Sequence, residues 1–354
     1  MEKNNSIKNF FINSLNGMAY GLFATLIIGT IAATISGFFK QGGDISLLLK
    51  DISFCIQTIT GAGIGIGISL MLKLDSLKTI SLASVGQLAS YLSLVINKDG
   101  VSLSNGFKIG DPLTIYLVVI GTYLLIKLIL RKKTPVDILI IPFLSIFVGI
   151  ILILLIRYPA IYITYFIQYI INTATTYQPF IMGVIISVLM GMALTAPISS
   201  AAIAAMVFTG NQEGLLVASG AALIGCCTQM IGFAIQSRRD NSIGIVLSIF
   251  VGTSMLQFKN ILRRPFIWLP TIITSAILGP ISTCVLKMKC MGSSCGMGTA
   301  GFVGQLGTLN TMGNSFNTWL VILLFQIIAP AILVFLIDLI FRKYNLIKEG
   351  DLKI

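Results

Sequence analysis

The chain has 354 residues, of which 56% are hydrophobic and only 10% are charged, and its mean hydropathy is +0.95. Soluble domains carry about 25% charged residues, so this composition predicts an integral membrane protein and leaves no stretch for a soluble domain. The formal charge of +12 does not indicate nucleic-acid binding, because the basic residues fall in short clusters between apolar runs. That placement favours loops in contact with anionic lipid headgroups.

The residue types that are missing also narrow the chemistry. The chain has no histidine, which excludes a phosphohistidine on this chain, a histidine-ligated metal and a Ser-His-Asp triad. Its three glutamates, Glu2, Glu213 and Glu349, lie outside the apolar segments, so no chain of carboxylates is available for a proton relay. We therefore predict no catalytic residue, no metal site and no cofactor.

Apolar segments of spanning length, about 20 residues each, follow one another along the chain. The first comes after 17 polar and basic residues and exceeds a signal-peptide core, so we expect it to remain uncleaved. We predict an all-α polytopic membrane protein with about ten transmembrane helices, forming a single integral-membrane domain over residues 1–354. The segments are Met18–Phe39, Ile52–Leu72, Thr79–Ile96, Pro112–Leu130, Val136–Ile156, Ala160–Thr176, Phe180–Phe208 (broken at Ala196-Pro197), Leu215–Ile235, Pro265–Leu286 and Phe316–Phe341.

The distribution of lysine and arginine predicts that both termini, including the first 17 residues, are cytoplasmic. In this orientation 17 of the 24 basic residues lie inside. The orientation requires that residues 242–258 do not cross the membrane, because Arg238-Arg239 before them and Lys259–Arg264 after them both favour the cytoplasm. We therefore interpret 242–258 as a re-entrant or interfacial segment.

A second re-entrant segment is predicted at residues 287–315, which contain seven glycines and only two charges, Lys287 and Lys289. A solvated loop of this length would carry more charge, and a spanning helix would carry fewer glycines. Irregular backbone inside a membrane occurs where protein or a water-filled cavity satisfies its polar groups, as at transporter substrate sites. We interpret Cys290 and Cys295 in this segment as small apolar fillers, with a disulfide between them as the alternative.

A short signature occurs twice. Gly67-Ile68-Ser69 precedes Leu72-Lys73 and then Val85-Gly86-Gln87-Leu88. Pro280-Ile281-Ser282 precedes Leu286-Lys287 and then Val303-Gly304-Gln305-Leu306. In the predicted topology the two copies cross the membrane in opposite senses, which is typical of inverted-repeat transporters with broken helices near the midplane.

A broken helix offers free backbone N–H groups, which favour anionic or hydroxyl-rich ligands. A fainter copy of the signature, Pro197-Ile198-Ser199, marks a further break, with Gln229 thirty residues later. The glycine run Gly61–Gly67 lies inside an apolar segment, so we interpret it as helix packing or unwinding rather than as a nucleotide loop.

The breaks and the amide and hydroxyl side chains near them form our predicted substrate site. Buried amides are costly in a membrane unless they are paired, so the alternative role for each side chain is a hydrogen bond between helices. The predicted substrate-binding residues are Gln87, Pro197, Ser199, Ser200, Gln229, Pro280, Ser282, Thr283, Gln305, Thr308 and Asn310.

Several of these motifs resemble a known family. The stretches Leu278–Thr283, Gly296–Gln305, Leu194–Ser200 and Gly252–Gln257 are similar to the second EIIC-type family of phosphotransferase-system permeases, which includes the perfringolysin O regulator-like membrane proteins. The resemblance covers nearly the whole chain and is most specific at 279–305. It implies a bacterial inner-membrane IIC component that binds a carbohydrate, works with separate IIA and IIB proteins and forms a homodimer.

Two functions follow from these observations. The first is a sugar permease that binds and translocates a carbohydrate for phosphorylation by a partner IIB protein. The second is a membrane-embedded sensor or regulator that binds a small molecule and acts through a cytoplasmic partner. In that second case, the basic loops Arg131–Lys133, Arg238-Arg239 and Lys259–Arg264 become docking surfaces, although contact with lipid explains them equally well.

Overall fold

The computed structural model describes residues 2–37, 39, 42–95, 111–130, 135–175, 177–208 and 212–354. Every element in these ranges is a helix, which confirms the all-α class. Most of the polar connection 97–111 and the basic cluster Arg131–Lys133 lie outside the described residues. The α-helices are α1 (Glu2–Leu22), α2 (Ile28–Ser36), α3 (Asp44–Thr58), α4 (Thr60–Met71), α5 (Ser76–Val95), α6 (Pro112–Ile129), α7 (Asp137–Ala174), α8 (Pro179–Thr195), α9 (Ser200–Val207), α10 (Glu213–Ser237), α11 (Ile243–Val251), α12 (Phe258–Arg263), α13 (Leu269–Pro280), α14 (Gly292–Cys295), α15 (Val303–Met312), α16 (Phe316–Val321) and α17 (Ala329–Lys343).

Within the described ranges, six helical stretches are long and apolar enough to cross a membrane. A seventh is obtained when α3 and α4, which meet at a 49° bend, are counted as one broken span. The predicted number of about ten spans is therefore not confirmed. The six stretches are Asn9–Ser36, Pro112–Ile129, Asp137–Ile156, Glu213–Ser237, Pro265–Leu286 and Phe316–Lys343.

Two of the predicted spans, Val136–Ile156 and Ala160–Thr176, belong to one continuous helix, α7. The sequence analysis separated them at residues 157–159, but α7 continues through Pro159, as it does through Pro142. Proline inside a membrane helix is tolerated where neighbouring groups satisfy the backbone carbonyl that it frees. The predicted break at Ala196-Pro197 does occur, because α8 ends at Thr195 and α9 begins at Ser200.

By internal contacts the chain divides into two compact units, Met1–Ile163 and Thr164–Ile354. In the first unit α4 packs between α1 and α5. Its four alternate glycines lie on two faces, two towards α1 and two towards α5. A Cβ on Gly63 or Gly67 would clash with backbone or side-chain atoms of α1 and the π-helical turn that follows it, and a Cβ on Gly61 or Gly65 would clash with α5. Glycines four apart let two backbones approach closely. The interpretation of this run as helix packing is confirmed.

The second unit uses the same device around α10, which is buried along most of its length. A Cβ on Gly225 would lie 1.8 Å from the carbonyl oxygen of Ser187 in α8. A Cβ on Gly183 of α8 would likewise lie 2.8 Å from the carbonyl oxygen of Gly279 in α13. Helix α8 therefore touches both α10 and α13 through its backbone.

The C-terminal segment after α17 folds back onto the end of α10 and onto α12. Its backbone is held by amide and carboxylate side chains. Asp240 accepts from the N–H groups of Gly350 and Leu352, and Gln257 donates to the carbonyl of Leu352. The Leu352 side chain is fully buried. This segment fixes the loop that contains α12.

We expect Gly225→Ala to lower the melting temperature, because the added Cβ cannot fit against the carbonyl of Ser187. Overpacking of this kind costs roughly 1–3 kcal/mol. Thermal unfolding of the purified protein in detergent measures the change. The matched control is Gly214→Ala on the same helix, where nothing lies within 4 Å of the new Cβ. An equal melting temperature in the two variants would contradict the packing described here.

Candidate functional site

The two copies of the repeated signature share an unusual local backbone. In each copy the helix ends at a lysine with positive φ, Lys73 at 55° and Lys287 at 45°. The following N–H binds the carbonyl of the signature serine, from Leu74 to Ser69 and from Met288 to Ser282, both at 3.0 Å. Left-handed conformations are uncommon for residues with a side chain. Finding one at the matching lysine of both copies supports their interpretation as a structural repeat.

The copies differ by one residue between the serine and the lysine. Ser69 and Lys73 are four positions apart, whereas Ser282 and Lys287 are five apart. The second copy is a π-helix over Ile281–Leu286, which accommodates the extra residue. Single π-helical turns inside α-helices are frequent at functional sites.

Gln87 lies on α5 beside the break between α3 and α4. In an uninterrupted helix the N–H of Ala62 would bind the carbonyl of Thr58. Instead, Gln87 Oε1 accepts from the Ala62 N–H at 3.1 Å, and Gln87 Nε2 donates to the Thr58 carbonyl at 2.7 Å. A side chain inserted into the backbone ladder is one of the recognised causes of a helix kink. The amide of Gln87 therefore pairs both backbone groups that the 49° bend releases.

An open groove of about 790 Å³ also lies in the first unit. Gln87 lines it together with Thr79, Ser84 and Tyr91, and the rest of its lining is apolar: Ala62, Ile66, Ile80, Ala83, Leu88 and Ile146. Because the wall is mainly apolar and the Gln87 amide is engaged at the break, this groove is a poor match for a hydroxyl-rich ligand.

Gln229 is the centre of a hydrogen-bond cluster in the second unit. Its Oε1 accepts from Trp268 Nε1 at 2.9 Å, from Thr271 Oγ1 at 3.0 Å and from Thr195 Oγ1 at 3.2 Å. The indole N–H can only donate, so it fixes which end of the amide is the oxygen. The other end, Nε2, is buried and has no partner. Gln229 thus presents an oriented NH2 group, with two N–H donors and no partner, inside the bundle.

This cluster borders the break between α8 and α9. Thr195, the last residue of α8, also shares a 2.8 Å hydrogen bond with Ser254. On the far side of the break, Ser200 donates to the carbonyl of Gly296 at 2.7 Å. Pro197 is buried between these anchors, and Ser199 is half-buried. The predicted residues Pro197, Ser199 and Ser200 are thus close in sequence to Thr195, which contacts Gln229.

Gln305 belongs to a second amide cluster. Its Nε2 donates to Gln326 Oε1 at 3.1 Å, and Gln326 Nε2 donates to Thr308 Oγ1 at 2.9 Å. The Gln305 Oε1 atom is buried without a partner. The structure therefore brings two predicted residues, Gln305 and Thr308, together through a glutamine that the sequence analysis missed. Gln326 interrupts a long apolar run, and this interruption is the sequence signal that could have identified it as a buried polar residue.

The remaining predicted residues have different surroundings. Thr283 donates to the carbonyl of Pro179 at 2.7 Å, so it is used in packing. Ser282 is buried with an unpaired hydroxyl, and Pro280 is buried beside it at the start of the π-helical turn. Asn310 is exposed. Ten of the eleven predicted residues lie in the second unit, and Gln87 lies in the first.

A buried ion cluster was also missed. Asp338 on α17 is fully buried, and Arg342 Nε donates to both of its carboxylate oxygens, at 3.1 and 2.9 Å. Arg238 approaches the same carboxylate at 3.5 Å. The i,i+4 spacing of Asp338 and Arg342 was visible in the sequence. Because both oxygens are paired with arginine, Asp338 contributes to packing rather than to a proton path.

The cysteines of the glycine-rich segment are buried and free. Cys290 and Cys295 form no disulfide, and both side chains are fully buried. This is the environment of a small apolar filler. Among the described residues, no group of histidine, cysteine and acidic side chains has the arrangement of a metal site.

Taken together, apolar spanning helices, interrupted helices and buried polar clusters define a multi-pass membrane protein of the transporter class. The sequence profile of the family described as phosphotransferase system, EIIC matches residues 12–354. The chain belongs to this family and is the membrane permease component of a phosphotransferase system. No curated protein and no solved structure matches the chain.

We expect Gln87→Leu to destabilise the protein by about 1–3 kcal/mol, because it leaves a half-buried donor and a half-buried acceptor at the helix break unpaired. The matched control is Ser84→Ala one turn earlier on α5, whose hydroxyl bonds only within its own helix, to Ile80. Thermal unfolding of both variants checks this. Equal melting temperatures would show that the break does not depend on the amide.

Proposed function

We propose that this permease binds a carbohydrate at the Gln229 cluster and passes it inward for phosphorylation by a partner IIB protein. The observation that carries the proposal is the buried, unpaired Nε2 of Gln229 beside the break between α8 and α9. A buried amide donor without a partner costs roughly 1–3 kcal/mol. A sugar hydroxyl that accepts a hydrogen bond from this donor would remove that cost, and binding of the sugar would therefore be favoured.

Other groups around α10 complement this donor. The hydroxyls of Ser275, Ser282 and Thr228 are buried without partners and can both donate and accept. The Gln305 Oε1 atom is an unpaired acceptor. A carbohydrate presents several hydroxyls that each need a donor and an acceptor, so a mixed set of this kind suits it better than a set of one charge would.

In the proposed site some of the predicted residues contact the sugar and others hold or shape the helices around it. Gln229 binds the sugar, Ser282 and Gln305 supply further polar contacts, and the break at Pro197–Ser200 supplies mobility of the backbone. Gln87 and Thr283 hold helices together. Thr308 orients the Gln305 cluster through Gln326. Pro280 introduces the π-helical turn, and Asn310 remains a prediction. Movement of the glycine-rich segment against α8 and α10 provides access from each side in turn.

The basic residues support the orientation of this cycle. Both termini are proposed to be cytoplasmic, which places Arg238-Arg239 and Lys259–Arg264 on the side where IIA and IIB proteins act and where anionic lipid headgroups attract lysine and arginine. A homodimer in a bacterial inner membrane is proposed from the family resemblance alone. Membership of the EIIC family favours transport over the sensor role, which no observation supports.

Uptake into cells tests the function directly. A panel of radiolabelled hexoses, hexitols and disaccharides is offered to cells with and without the soluble phosphotransferase proteins. We expect at least one sugar to accumulate only when those proteins are present. Thermal stabilisation of the purified protein by the same panel identifies the sugar independently. Failure of every sugar in both measurements would overturn the proposal.

We expect Gln229→Met to reduce uptake of that sugar about tenfold or more, because loss of one hydrogen bond worth about 1.4 kcal/mol weakens binding tenfold. The matched control is Gln236→Met, the same change on the same helix at an equally buried glutamine. The Gln236 amide is also unpaired, but it lies two turns beyond Gln229, where its backbone carbonyl accepts from Arg342, and not at the break between α8 and α9. Uptake by Gln236→Met should stay within about twofold of the parent protein by the same scale. Full uptake in Gln229→Met, or an equal loss in the two variants, contradicts the assignment.

A further inference from the structure

Lys259 lies on a loop that contacts the Gln229 cluster at two points. Phe258 packs edge to face on Trp268, with ring centroids 6.5 Å apart, and Trp268 donates to Gln229. Ser254, at the start of the same loop, binds Thr195 of the cluster. Lys259 follows Phe258 directly at the beginning of α12. The loop that carries this lysine is therefore packed against the proposed sugar site.

The Lys259 side chain is only 7% exposed. Among the residues that the structure describes, none of the ion pairs involves Lys259. The charged group that acts on its pKa is Arg263, one turn later on α12. The carboxylate of Asp351 on the C-terminal segment pairs with Arg264 instead, at 3.6 Å. A lysine with so little exposed surface has a poorly hydrated ammonium, and a poorly hydrated charge is normally paired with a counter-charge.

The pKa of Lys259 reflects this environment. Burial and, after it, the charge of Arg263 lower the pKa to about 8 from the ordinary value of 10.5. At pH 7 the side chain still carries its charge, because the pH is below the lowered pKa. An anion next to Lys259 would compensate the burial and favour the charged form.

The residues on either side of Lys259 are held by a network of hydrogen bonds. Asn260 Nδ2 donates to Gln257 Oε1 at 2.6 Å and to the carbonyl of Lys353 at 3.1 Å. Gln257 in turn holds the carbonyl of Leu352 at 2.9 Å. The side chains of Gln257 and Asn260 are both buried. The chain on both sides of Lys259 is thus held by hydrogen bonds to the C-terminal segment.

We propose that Lys259 binds the oxygens of a phosphate group beside the sugar site. Lysine is a common phosphate ligand because its ammonium is a compact point charge. Two sources of this chemistry exist: a soluble phosphate monoester, including the phosphorylated sugar, and the phosphate of an anionic lipid. The location next to Gln229 rests on the proposed function, but binding of phosphate by Lys259 is measurable without any sugar.

The experiment measures thermal unfolding of the purified full-length protein in a neutral detergent at pH 7. Inorganic phosphate is added at constant ionic strength against chloride, and in a second arm phosphatidylglycerol is added in mixed micelles. We expect phosphate to raise the melting temperature of the parent protein and of Lys259→Arg. The shift should be absent in Lys259→Gln. The matched control is Lys348→Gln, which changes an exposed lysine of the C-terminal segment and should keep the full shift.

The outcomes separate the alternatives. If inorganic phosphate raises the melting temperature and Lys259→Gln abolishes this rise, the ligand is a soluble phosphate. If only phosphatidylglycerol raises the melting temperature and Lys259→Gln abolishes that rise, the ligand is a lipid phosphate. A shift that persists in Lys259→Gln, or no shift with either probe, overturns the proposal. Lys259→Gln should melt no lower than the parent protein without added anion, because it removes a poorly hydrated charge that has no carboxylate partner. If sugar uptake fails while the phosphate shift is present, the proposed function is wrong but the Lys259 site stands.

Discussion

Contact between helix backbones through glycine is the constraint on which the rest of this structure depends. Inside a membrane there is no hydrophobic force that drives one apolar helix against another, so close packing and hydrogen bonds must hold them together. In the first unit the alternate glycines of α4 bring α1 and the turn after it within contact on one face and α5 on the other. In the second unit Gly225 and Gly279 do the same for α10 and α13 against α8. Helices this close allow a glutamine on one of them to reach the backbone or side chains of the next.

The two best-defined glutamines show what this closeness makes possible. Gln87 uses its oxygen and its nitrogen on the two backbone groups that one bend releases, so its amide has a complete structural role. Gln229 receives three donors on its oxygen and leaves its nitrogen unpaired. Both are glutamines, but Gln87 is half-buried whereas Gln229 is fully buried, and only Gln229 keeps an unpaired donor. A hydrogen bond from that donor to a ligand would lower the free energy of the bound state. Pairing at each atom, rather than residue type, therefore distinguishes a helix contact from a candidate binding group.

The sequence predicted the parts of this arrangement that depend on local chemistry. Composition established the membrane class, glycine spacing on α4 indicated helix packing, and Pro197 marked a real break. It did not predict that α7 continues through Pro159, because whether a helix tolerates proline depends on neighbouring groups that satisfy the freed carbonyl. It selected Gln229 and Gln305 but could not assign their partners, since Trp268 and Gln326 are distant along the chain. The free nitrogen of Gln229 is a property of tertiary packing and has no sequence signal.

The repeat suggests why the binding chemistry is proposed for the second unit. Both copies end their helix at a lysine in the left-handed conformation, so the turn is a shared feature of the signature rather than an accident of one loop. Only the second copy contains the extra residue, and it is accommodated by a π-helical turn directly after Pro280. A π-helical turn shifts the register of the side chains that follow and weakens the regular backbone ladder. In the first copy the Ser69 hydroxyl binds its own helix at Gly65, whereas in the second the Ser282 hydroxyl is left buried and unpaired. The copy with one more residue therefore ends its helix with a free hydroxyl where the other copy has a paired one, and this difference supports the proposal that the second unit binds the substrate.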